Sequence, residues 1–120
     1  MKSLNRLFIF SALLVSAVSS AQAVETNQVI MKSLSYVPKQ IKIVQGQSVT
    51  WKNTSYTEHS ATSEGNPSAF DTGMIASGKE SKPVRFEKVG EYAYHCSMHG
   101  KTMSGVVIVT ASPAVKAKQE

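Results

Sequence analysis

A second cysteine is what this chain lacks most tellingly. Cys96 is the only one in 120 residues, so no disulfide forms within the chain. Its thiol is free, paired with another chain, or held by something else such as a metal. Also missing are a glycine-rich phosphate loop, a serine or cysteine nucleophile beside a free base, and a carboxylate pair in a motif. No catalytic constellation is present, and the expectation is a protein that is not an enzyme. The lysines and arginines form no run and have little aromatic interleaving, which leaves nucleic-acid binding without support. Beyond residue 23 no apolar stretch approaches the length of a membrane-spanning helix, and no segment keeps a helical period. What remains is a chain of short β-type runs.

The first 23 residues read differently. Lys2 and Arg6 precede the apolar stretch Leu7–Val18, and Ala21-Gln22-Ala23 has the form of a cleavage site. This pattern predicts export to the periplasm, with residues 1–23 removed. Lys2 and Arg6 leave with them, so 13 − 2 = 11 basic residues face 8 acidic ones, a net charge of +3. Residues 24–111 are expected to form one domain, expected to be monomeric, and 112–120 a frayed tail.

Within the domain, Val29–Met31 opens a strand that Ser33–Tyr36 is expected to continue, before a bend at Val37-Pro38-Lys39. Ile41 and Ile43 alternate with Lys42. After a turn at Gln45-Gly46-Gln47, Val49, Trp51 and Asn53 share one face of the next strand. Ser60–Ser63 and Pro83–Phe86 are further short strands, and any helical turn should fall within 65–78. Seven or eight strands with frequent turns predict an all-β, antiparallel sandwich or barrel.

The densest chemistry lies in Tyr92–Gly105, YAYHCSMHGKTMSG. Tyr92 and Tyr94 alternate as in a strand, and Cys96, His99 and Met103 follow on what reads as a tight connection. A thiolate, an imidazole and a thioether make a soft ligand set suited to copper. His59 supplies the second imidazole. His95 falls on the opposite face of its strand from Cys96 and is expected at the surface.

These residues resemble the cupredoxins, small type 1 blue-copper proteins, and most closely the amicyanin, plastocyanin and pseudoazurin group. Val49–Asn53 followed by His59, and Gly90–Gly105 with Cys96, His99 and Met103, carry the resemblance. It implies a Greek-key β-sandwich with one copper ion bound by His59, Cys96, His99 and Met103. It also implies single-electron transfer between redox partner proteins, with copper storage, delivery or resistance as the alternative. Asn53 would bridge the His59 segment and the Cys96 loop by side-chain hydrogen bonds. Met98 stands where relatives usually have proline, so its N–H is expected to reach the Cys96 sulfur and raise the reduction potential. Glu58, beside His59, would act in the opposite direction.

Overall fold

The computed structural model describes residues 27–65 and 67–113. The expected export signal, and all of the expected tail beyond Pro113, lie outside the described residues. Eight strands are present among the described residues: β1 (Gln28–Met31), β2 (Tyr36–Val37), β3 (Gln40–Val44), β4 (Ser48–Asn53), β5 (Thr62–Ser63), β6 (Val84–Arg85), β7 (Gly90–Cys96) and β8 (Gly100–Thr110). They form two four-stranded sheets, in the orders β2-β1-β4-β6 and β3-β8-β7-β5. The expected all-β sandwich is therefore present. Among the described residues no helix is long and apolar enough to cross a membrane.

Three local expectations change. The strand begun at Val29 does not run on through Ser33. Lys32 N donates to Ser35 O at 2.8 Å, and the turn returns the chain as β2 antiparallel to β1. Second, the sheets are mixed, because β1 pairs in parallel with β4 and β3 with β8. Parallel neighbours need a crossover instead of a hairpin. Here the chain leaves the first sheet after Val37, crosses at Pro38-Lys39, and returns to it in β4. Third, residues 67–78 form turns and extended bridges, not a helical turn. Thr62 pairs with Asp71 and His59 with Ile75.

The core fills the space between the layers. Alternation puts Val49, Trp51 and Asn53 of β4 on the inner face, opposite Tyr94 and Cys96 of β7 and Met103, Val107 and Val109 of β8. Trp51 stacks on Phe70 at 5.4 Å and meets the Tyr94 ring edge-on at 5.5 Å. Tyr36 packs on Tyr94 at 4.6 Å. Gly105 on β8 leaves room for that cluster, since a Cβ there would lie 2.6 Å from the Tyr94 ring.

Parallel β1 and β4 both finish at the same end of the sandwich. β7 also ends there at Cys96 and β8 begins there at Gly100, so one end collects the chemistry.

Candidate metal centre

The β7–β8 junction is tighter than the sequence implied. Cys96 is the last residue of β7 and Met103 lies within β8, so only Ser97–His99 forms the turn. His99 N donates to Cys96 O at 3.2 Å, and Cys96 pairs directly with Gly100 across a register shift. Gly100 has φ +58°, a left-handed value that glycine adopts without a Cβ clash. That residue starts β8 immediately after the turn.

His59 reaches the same place from the other sheet. β4 delivers Asn53, and Thr54–Glu58 carries the chain across to His59. Asn53 is fully buried, and its amide uses all its capacity. Nδ2 donates to Thr57 O at 2.7 Å and Ile75 O at 2.9 Å. Oδ1 accepts from Ser55 N at 2.9 Å and Ser55 Oγ at 2.7 Å. Ile75 in turn exchanges backbone hydrogen bonds with His59, at 3.2 and 2.7 Å. Asn53 thus braces the His59 loop against the 70–75 segment, not against the Cys96 turn as expected.

The tie to the Cys96 turn comes from Ser60. Its Oγ accepts from Ser97 N at 2.9 Å and donates to Ser97 Oγ at 3.0 Å. Its N–H donates to Cys96 Sγ at 3.4 Å. The donor to sulfur is therefore Ser60, not Met98. The Cys96–His99 turn closes on the Cys96 carbonyl, and Met98 is 63% exposed at its crest. A serine in the polar run Thr54–Ser60 has no sequence signature that separates it from ordinary loop.

Three ligand-type side chains converge. The donor atoms of His59, Cys96 and His99 all lie within 4.8 Å of one another. His59 and Cys96 are fully buried and His99 half-buried. The His59 and His99 rings are 5.2 Å apart. His59 Nδ1 sits 3.8 Å from Cys96 Sγ, and Nε2 sits 3.2 Å from Thr57 Oγ1. With the proton on Nε2 donated to Thr57, Nδ1 keeps its lone pair toward the sulfur. Burial, and then the neighbouring His99, hold His59 below the usual imidazole range. Both effects favour the neutral, ligating form.

A family model, Cupredoxin-like domain, matches residues 5–109. The chain belongs to this family. Its fold is similar to the purple cupredoxin of Nitrosopumilus maritimus, at 26% identity over 69% of this chain and 98% of that one, with a TM-score of 0.62. It is also similar to the Cu-containing nitrite reductase of Thermus scotoductus SA-01, at 28% identity over 69% of this chain, with a TM-score of 0.61. The match spans only 22% of that enzyme. An amicyanin has the same fold at 23% identity, covering 69% and 80% of the two chains with a TM-score of 0.63. No curated protein sequence matches the chain.

The remaining sequence-predicted residues of this cupredoxin fall as follows. Met103 is fully buried in the same core cluster as Cys96. His95 lies on the outer face of β7, with Nδ1 3.8 Å from Glu64 Oε1. Glu58 is exposed. Met74 and Met98 are both exposed, and Ser97 Oγ donates to Met74 Sδ at 3.6 Å. Met74 therefore lies against the turn that carries both Met98 and His99.

Proposed function

We propose that this cupredoxin carries single electrons between redox proteins, using one copper ion held by His59, Cys96, His99 and Met103. The observation that supports this most directly is the convergence of the two imidazoles and the thiol within 4.8 Å on the family's fold. The donor set fits copper, because thiolate and thioether suit Cu(I) while two imidazoles suit Cu(II). His99 Nε2 is buried without a hydrogen-bond partner among the described residues, an orphan that a ligand at this end would satisfy. When bound, copper supplies a one-electron couple.

The protein's own part is to hold the ligands still. Asn53 and Ile75 fix His59, Thr57 meets its Nε2, and Ser60 fixes the Cys96 turn. A ligand set braced by backbone on both sides moves little between oxidation states, which lowers the barrier to transfer. Met74, Met98 and Gly100 frame His99 as the contact point for partners, whose encounters need only a small interface. In this reading residues 1–23 direct export to the periplasm and are removed, 24–111 form the working domain, 112–120 form a tail, and the domain acts as a monomer.

Two other readings give different results in one experiment. The exposed thioethers of Met74 and Met98 favour copper storage, delivery or resistance as the alternative. An enzyme would need an open metal position. The experiment is titration of the purified domain with copper, followed by cyclic voltammetry and azide addition. A carrier binds one equivalent, cycles reversibly and leaves its spectrum unchanged by azide. Loss of metal on reduction points to delivery, and an azide-induced spectral change points to an enzyme.

A further inference from the structure

Ser60 is held through its N–H, its hydroxyl and its carbonyl, and of these only the carbonyl has no partner in the metal-site turn. Its N–H meets Cys96 Sγ, and its Oγ meets Ser97. Its carbonyl accepts from the hydroxyl of Tyr36 at 2.5 Å. Tyr36 belongs to β2 in the opposite sheet, 24 residues earlier. It is 2% exposed and packs edge-on against Tyr94. The phenol thus reaches across the sandwich to the residue that hydrogen-bonds the cysteine sulfur.

We propose that Tyr36 is a positioning residue for the metal site, holding Ser60 so that its N–H stays on the Cys96 sulfur and thereby setting the reduction potential. The inference rests on the copper reading above.

The physical chain is short. A buried carbonyl that loses its donor is costly to leave unsatisfied. Without the Tyr36 hydroxyl, Ser60 shifts toward another partner, and the N–H···S contact, already long at 3.4 Å, weakens first. A donor on sulfur withdraws electron density from the thiolate and disfavours Cu(II). Losing it therefore lowers the potential. Burial, and then the adjacent Cys96 and Tyr94, hold the Tyr36 hydroxyl far above the ordinary tyrosine range, so it remains a donor at every workable pH.

Tyr94 provides a matched control. It is a buried tyrosine in the same cluster, and among the described residues its hydroxyl has no hydrogen-bond partner. The test compares Tyr36→Phe with Tyr94→Phe by two readouts. The first is amide hydrogen exchange at Ser60 in the metal-free protein. The second is voltammetry of the copper-loaded protein. Tyr36→Phe should speed Ser60 exchange at least tenfold. It should also favour Cu(II) over Cu(I) by about threefold to tenfold, the equivalent of one weakened hydrogen bond, or a fall of roughly 30 to 60 mV for one electron. Tyr94→Phe should do neither.

Equal effects from the two variants, or no effect from Tyr36→Phe, overturn the proposal. If Tyr36→Phe does not fold, 3-fluorotyrosine at position 36 keeps the ring and strengthens the donor. Slower Ser60 exchange and a higher potential are then expected, and no change in either is the overturning result. Failure of wild-type protein to bind copper would instead overturn the copper reading, while the exchange measurement would still judge the Tyr36 tie.

Discussion

His59 uses its two ring nitrogens for two tasks, and that division makes the site sensitive to acid. Thr57 takes the Nε2 side and Cys96 lies on the Nδ1 side, while burial and His99 lower the affinity of the ring for a proton. The unfolded chain binds that proton more readily than the folded one, so stability falls as pH drops through the ordinary imidazole range toward the folded value. Above that range the contribution is fully present. In denaturant titrations, the metal-free protein should lose stability as the pH falls below about 7.5. His59→Gln should flatten part of that slope, and an identical slope in the variant would refute the assignment. Sequence alone supplied His59 as the second imidazole. It did not supply Thr57 or Ser60, because hydroxyl residues in a polar loop look alike until the loop is folded. It also misassigned the sulfur donor to Met98, since nothing in the order of residues tells which amide a turn directs at a side chain.

Among the elements, β4, β7 and β8 were readable because alternation is a local signal. Val49, Trp51 and Asn53 do share the buried face, and His95 does turn away from Cys96. Pairing is not local. The parallel neighbours β1–β4 and β3–β8, and the turn that separates β1 from β2, depend on contacts between residues far apart in the chain. The start of β8 at Gly100, six residues before Val106, depends on one left-handed glycine. Gly105 shows how closely the layers fit. A Cβ there would meet Tyr94 at 2.6 Å and the Lys39 carbonyl oxygen at 2.9 Å, and the second of these is backbone that yields little. Gly105→Ala should therefore destabilise the fold by about 1 to 3 kcal/mol, measured by urea unfolding. An effect below about 0.5 kcal/mol, the usual range for an exposed site, would mean that β8 shifts freely against Tyr94.

At the scale of the whole molecule, the two sheets act as a frame that brings distant segments to one end. His59 and Cys96 are 37 residues apart, one in the segment after β4 and the other at the end of β7, yet the fold buries them side by side. The closeness of Cys96 and His99 was legible because their spacing is local, and the fold places His59 beside them. The central claim is that Cys96 is a thiolate ligand to copper, not an inert core thiol. Its most direct test is the visible absorption of the copper-loaded domain beside that of Cys96→Ser. The wild-type protein should show an intense sulfur-to-copper charge-transfer band, and Cys96→Ser should lose it while keeping the far-ultraviolet circular dichroism of the β-sandwich. A band of equal intensity in Cys96→Ser, or none in the copper-loaded wild type, would contradict the account.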